Sequence, residues 1–232
     1  MRSQNRWTGM VVGVVMGVLF SAAVVLAGSL EPSAGATQAS LQGNSSSYLP
    51  IVLKAGGSSS AGVPRTGQTT SYGPRDDGAL QKGVAWPNPR FTDNGNGTVT
   101  DNLTGLIWLK NANCSWAKDW GTALSDVNSL ASGSCGLSDG SKAGQWRLPN
   151  VKELQSLIDF AYSYPALSNA VGTGQWVEGN PFIDVESGGY WSSTTRAYKT
   201  AEALYVTLDS GLVFTSNKTT STSFLWPVRD GQ

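Results

Sequence analysis

The run FTDNGNGTVTDNLTGLIW, Phe91 to Trp108, decides the fold. Asn94-Gly95 and Asn96-Gly97 are dipeptides that accept positive φ, which tight hairpin turns require. Thr98, Val99 and Thr100 are strand formers. Asp101-Asn102-Leu103-Thr104-Gly105 reads as a second turn, with Gly105 suited to a left-handed position. Leu106 to Leu109 is a short continuous apolar strand of the kind buried on both faces. Two turns between strand formers predict antiparallel β structure. The polar residues of the run have a second reading, since Asp93, Asn96 and Asp101 offer oxygens to Ca²⁺. An EF-hand-type loop places oxygen ligands at its first, third and fifth positions and a Glu at its twelfth. Counted from Asp93, the third and fifth are Gly95 and Gly97. Turn chemistry is therefore preferred over a calcium site, and no cofactor is expected.

Downstream the period changes from strand to helix. Ser115 is a candidate cap for a helix starting at Trp116. Trp116, Trp120, Ala123, Leu124, Val127 and Leu130 recur at helical spacing, and Gly133 and Gly136 stand ready to end it. Pro149 disfavours helix at Leu148. Asn150 and Glu153 form a capping-box pair for a second helix, with Leu154, Leu157 and Ile158 on one side. Arg147, between the core-like Trp146 and Leu148, reads as a buried structural ion-pair or hydrogen-bonding partner rather than a ligand contact.

From Ala161 to Gly189 no period is visible, and loops of that length are usually functional or disordered. From Tyr190 the texture is β again. Tyr190 to Ser193 is a strand, and Ala203–Leu208 and Leu212–Thr215 form a hairpin about Asp209-Ser210-Gly211. Phe224 to Arg229 closes the chain. Helices followed by antiparallel strands argue an α+β class.

Upstream, Arg2 and Arg6 precede an almost wholly apolar stretch from Met10 to Ala27, and Ala34-Gly35-Ala36 is an A-x-A cleavage signal. Residues 1–36 read as a signal peptide, with an uncleaved membrane anchor as the rival, since the stretch is long enough to span. Residues 37–62 have the Ser- and Gly-rich composition of a flexible linker. The apolar island Tyr48 to Lys54 resembles a segment that follows the signal peptide in some secreted bacterial proteins. Residues 63–232 make up the folded domain, and the expected location is extracytoplasmic, secreted or at the cell surface.

Composition narrows the function. Cleavage at Ala36 removes Arg2, Arg6 and Glu31, leaving 14 basic against 15 acidic residues and a net charge of −1. Such a chain has no electrostatic footprint for nucleic acid or for an anionic membrane. Contact with a membrane would come only through the N-terminal segment. Eight of the nine Trp lie from Trp86 to Trp226 and mark the folded part. Cys114 and Cys135 are an even pair in an exported chain and read as a disulfide. The chain has no His, which excludes Ser-His-Asp and Cys-His hydrolases. Ser141-Lys142 is adjacent rather than one helical turn apart. Asp159, Glu178, Asp184 and Glu186 are carboxylates that no spacing pairs. The chain is not expected to be an enzyme.

Five blocks carry a family resemblance: PRTGQTTSYGPRDDG (Pro64–Gly78), FTDNGNGTVTDNLTGLIWLK (Phe91–Lys110), WRLPNVKELQSLID (Trp146–Asp159), YWSST (Tyr190–Thr194) and FLWPVR (Phe224–Arg229). Together they resemble the Lcl C-terminal domain family. The resemblance implies a C-type-lectin-like fold, with two helices packed on a twisted antiparallel sheet and long loops. It also implies an adhesin-like role, since the best-known member is the C-terminal domain of a bacterial collagen-like adhesin. The WRLP block is similar to one in formylglycine-generating proteins, but Cys114 and Cys135 sit elsewhere, so that chemistry does not carry over. Glu178-Gly179-Asn180 resembles one ligand triplet of animal C-type lectins but lacks its Pro.

The expected function is a carbohydrate- or polymer-binding module of the cell exterior. Trp176 would stack on a sugar ring, Glu178 and Asn180 would bond hydroxyls, and Arg196, Tyr198 and Lys199 would help if the ligand is sulfated. The alternative is a structural domain whose partner is a surface protein, for which a homo-oligomer would raise avidity. An uncharacterised hydrolase ranks below both.

Overall fold

The computed structural model describes residues 62–231. The signal peptide or anchor, the linker as far as residue 61 and the Tyr48–Lys54 island lie outside the described residues. In chain order the elements are α1 (Asp77–Leu80), β1 (Phe91–Asp93), β2 (Thr98–Asp101), β3 (Ile107–Leu109), α2 (Trp120–Ser129), α3 (Val151–Ser156), β4 (Gly189–Thr195), β5 (Glu202–Thr207), β6 (Val213–Asn217) and β7 (Val228–Arg229). The class is α+β. One antiparallel sheet has the order β1-β2-β3-β7 and a second has β4-β5-β6.

The opening run behaves as its residues dictate. β1 pairs with β2 in the register Phe91–Asp101, and β2 pairs with β3 through Val99 and Trp108. Asn94 N–H donates to Thr98 O at 3.0 Å across the turn. Gly97 is needed twice over: its φ is +85°, and a Cβ there would collide with the carbonyl of Gly136. The β1–β2 turn can thereby dock on Gly136 and Leu137, just past Cys135 of the Cys114–Cys135 disulfide, whose Cα atoms are 5.7 Å apart.

Segment 224–229 stitches the two sheets together. Phe224 bridges in parallel to Tyr190 of β4, and Val228 and Arg229 pair with β3. Between them Trp226 is fully buried, meets Phe182 and Trp108 edge-on at 4.9 and 5.7 Å, and lies tilted against Tyr190 at 5.4 Å. Edge-to-face rings of this kind add about 0.5–1.5 kcal/mol per pair beyond the area they bury. The indole N–H groups are tied mostly to distant backbone: Trp226 donates to Leu109 O, Trp191 to Lys118 O and Trp120 to Ser192 O. The tryptophans therefore fix loop positions as well as filling the core.

Two expectations about helices need correcting. α2 does not start at Trp116 under a Ser115 cap. Asp119 is the N-cap, with its side chain accepting from Thr122 N–H. Trp116 has φ +56° and is 72% exposed, so it belongs to a turn and not to the core stripe. The main chain of Lys118 is held by Ser223 at 3.0 and 3.1 Å, which bars helix until Trp120. The helix also ends before Gly133, because Leu130 is extended. The second correction is α1, a short helix with no expected counterpart, capped by Asp76. The Asn150–Glu153 capping box of α3 is present with both of its hydrogen bonds. Arg147 does make a structural ion pair, with Glu153 at 2.8 Å and Asp230 at 2.6 Å, but half-exposed at the surface rather than buried as expected.

Candidate functional site

The long segment between α3 and β4 has no helix or strand among the described residues, yet it is stitched throughout. Antiparallel bridges join Ile158 to Leu167, Ser168 to Gln175 and Val177 to Asn180. Ala166, Leu167 and Phe182 anchor it in the core. The predicted binding residues here are engaged in holding the loop. Trp176 packs against the core and donates its indole N–H to Phe182 O at 3.2 Å. Glu178 accepts from Asp184 N–H at 3.0 Å. Asn180 Oδ1 accepts from Ala170 N–H at 3.0 Å, and the Asn180–Pro181 bond is cis.

The other three predicted residues lie together on the β4–β5 connection. The Arg196 guanidinium sits 4.0 Å from the Tyr198 ring centroid, and Tyr198 is 79% exposed. Glu202 forms ion pairs with both Arg196 and Lys199. Those two cations hold the Glu202 carboxyl down to about 2. No hydrogen bond, ion pair or ring contact among the described residues joins this cluster to Trp176, Glu178 or Asn180.

The calcium candidates do not converge either. Asp93 pairs with Lys110 at 2.7 Å, and Asn96 accepts from Thr98. Asp101 accepts from Arg90 Nε at 2.8 Å, Leu103 N–H and Thr104 Oγ1. Their oxygens build turns. Among the described residues no group of three or more Cys, Asp or Glu has the proximity to hold a metal ion. An S-x-x-K spacing runs from Ser115 to Lys118, but the left-handed Trp116 within it rules out a helical turn. It therefore does not present the two side chains as a helix-borne dyad would.

A concave site lies on the face of the β4-β5-β6 sheet. It encloses about 290 Å³ and is lined by the rings of Tyr205 and Phe224 and by Thr207, Ser216, Thr222 and Ser223, with no charged side chain in its wall. Local backbone explains it. Gly189 has no Cβ, and one added there would come within 2.6 Å of Tyr205 Cδ2; one added at Gly188 would come within 2.9 Å of Phe224 Cε2. The bare backbone lets both rings lie down on it. Tyr205 stacks on Phe214 at 5.8 Å on one side and meets Trp191 edge-on at 5.8 Å on the other. Ser216 Oγ bonds Ser221 and Thr207 Oγ1 bonds Ser210. Tyr205 Oη, Thr222 Oγ1 and Ser223 Oγ, by contrast, have no protein partner among the described residues. Ala117 completes the wall, one residue from the exposed Trp116.

Part of this site carried a sequence signal. In Ala203 to Leu208, alternation puts Tyr205 and Thr207 on one face. The register Ala203–Ser216 and Tyr205–Phe214 then adds β6 to that face. The return of Thr222 to Phe224 across it had no signal.

Fold and groove thus define a disulfide-stapled α+β domain with a neutral, hydroxyl-lined surface site. Comparison with family models matches the Lcl C-terminal domain over residues 97–229. The chain belongs to the Lcl C-terminal domain family. No curated protein matches it.

Proposed function

We propose that this chain is a non-catalytic binding module of the cell exterior, with a C-type-lectin-like arrangement. Its ligand is a neutral, polyhydroxylated molecule, a carbohydrate. The observation that carries this reading is the groove itself: two aromatic rings beside three unengaged hydroxyls, with no charge in the wall. Sugars offer C–H faces to rings and hydroxyls to hydroxyls, and a concave site with a few convergent polar groups is the default binding locus. The disulfide supports an oxidising compartment. Glu202 ties up both cations of the Arg196–Tyr198–Lys199 cluster, which favours a neutral ligand over a sulfated one. A glycan array probed with the wild type and Tyr205→Ala tests the proposal. Binding lost in the variant is expected; equal binding by both proteins, or none by the wild type, refutes the groove.

Protein recognition is the second reading, and Trp116 favours it. An exposed indole two residues from a disulfide cysteine has the character of an interface anchor. Light scattering of wild type and Trp116→Ala separates self-association from monomeric behaviour.

A further inference from the structure

A second cavity, of about 190 Å³, lies where residues 65–86 meet the domain. It is smaller than the roughly 300–1,000 Å³ of sites for drug-sized ligands, so its occupant is a single ring or a short chain. The backbone around it is pinned at three places. Arg65 N–H donates to Val84 O at 3.0 Å, Phe160 N–H to Thr66 O at 2.9 Å, and the Trp86 indole N–H to Arg65 O at 2.9 Å. Trp86 is packed against the Arg90 guanidinium, 4.4 Å from its centroid, and its rim is framed by two glycines. A Cβ at Gly67 would come within 3.0 Å of Trp86 Cη2 and one at Gly172 within 3.6 Å of Cε3. A preorganised cavity binds with less ordering cost than a mobile one.

The lining has a consistent chemistry. Trp86 supplies an aromatic wall, and Arg65, Gln68, Thr69 and Gln81 stand around it. Arg65 makes no ion pair among the described residues. The side chains of Gln68 and Thr69 have no protein hydrogen-bond partner there either. One uncompensated guanidinium beside neutral donors selects a carboxylate, since guanidinium–carboxylate pairs are among the strongest hydrogen-bonded contacts available. Asp159 packs against the Cα of Gly67 and is 2% exposed, and Asp77 accepts from the Thr66 hydroxyl. Neither lines the cavity.

We propose that this cavity is a second ligand site, distinct from the hydroxyl-lined groove, that takes a small monocarboxylic acid. The acid's flat or apolar body lies on Trp86 and its carboxylate meets Arg65. Most of the site is built from residues N-terminal to the matched family region.

The test uses the Trp86 indole N–H as reporter in ¹H–¹⁵N spectra of the full chain, with its cross-peak assigned by Trp86→Phe. Benzoate is the probe, benzyl alcohol and acetate the controls. A saturable shift with benzoate, markedly weaker with either control, is expected. Arg65→Gln, an exposed substitution that leaves the fold intact, should weaken benzoate about tenfold, the loss of one charge-assisted contact. Tyr205→Ala should leave it unchanged, which separates this site from the groove. No saturable shift, an equal response to benzyl alcohol, or full affinity in Arg65→Gln overturns the proposal.

Discussion

Arg90 and Asp101 form an ion pair with neither side chain exposed to solvent, Nε to Oδ1 at 2.8 Å. It is bidentate, since Arg90 Nη2 donates to the other oxygen at 3.0 Å and also to Ser156 O at 2.7 Å. The pair therefore fastens the β2–β3 turn to the end of α3. Trp86 and Phe91 cover the guanidinium at 4.4 and 4.7 Å. Removing one partner leaves the other charged in a dry site, at a cost of about 3–5 kcal/mol. Asp101→Ala should lower unfolding stability by that amount in urea titrations. The double change Arg90→Met with Asp101→Leu should cost clearly less than the two single changes summed, because no charge is stranded.

The Cys114–Cys135 bridge spans 21 residues, and a closure of that size is worth about 3 kcal/mol in the chain-entropy account. Its effect should couple to Gly97, whose Cα packs on Gly136, the residue that follows Cys135. Gly97→Ala must strain a φ of +85° and push Gly136 away, and it should destabilise the oxidised protein by more than about 1 kcal/mol. In Cys114→Ser with Cys135→Ser the loop can yield, so the same change should cost less. Chemical denaturation of the four proteins measures the coupling, and additivity would disprove it.

Much of this was readable in sequence, and the parts that were not share a cause. The Asn-Gly turns, the Asn150–Glu153 box and the Asp209–Gly211 hairpin are local, and each held. Trp116 failed because periodicity counts spacing alone. It could not register that Ser223, remote in sequence, would claim the Lys118 backbone and delay the helix to Asp119. Trp176, Glu178 and Asn180 have the residue types of a sugar site. Whether their polar atoms face outward or staple a loop depends on Phe182, Asp184 and Ala170 folding back on them. The groove is non-local in the same way, since its far wall, Thr222 to Phe224, reaches Tyr205 only after the chain has turned back.

Asp159 and Glu202 should give opposite pH dependences. Burial raises the Asp159 carboxyl above its ordinary 3.8, against opposing help from Ala161 N–H and Arg90. The folded state therefore holds this proton more tightly than the unfolded one. Its contribution to stability is complete at low pH and lost as pH rises from 3.8 through the raised value. Asp159→Asn keeps an acceptor for Ala161 and should abolish that decline. Thermal melts between acid and neutral pH should show the variant gaining relative to wild type as pH rises.

Glu202 works the other way. Lys199 and Arg196 depress it from 4.5 to about 2, so its stabilisation is whole above 4.5 and fades as pH falls toward 2. Glu202→Gln should remove that acid-side loss while releasing Arg196 and Lys199. If the pairing with Glu202 is the sole obstacle to polyanion recognition, the variant should gain salt-sensitive heparin retention that the wild type lacks. Unchanged retention would mean that two cations are too few to form such a site.

The groove itself can be closed without touching its polar groups. Gly189 starts β4, and a methyl there would sit 2.6 Å from Tyr205 Cδ2 and 2.9 Å from Cε2. No positive φ is involved, so the cost is steric, and the ring, packed between Trp191 and Phe214, has to swing outward into the cavity. Gly189→Ala should cost about 1–3 kcal/mol as overpacking while abolishing glycan binding. Tyr205→Phe keeps the ring and removes one unengaged hydroxyl, so it should leave stability within about 0.5 kcal/mol. It should weaken binding by a factor of about ten if Oη bonds the ligand. Stability from urea titration and affinity from calorimetry, measured on both variants, separate a packing surface from a binding one. If Gly189→Ala binds as the wild type does, the ligand lies elsewhere on the domain.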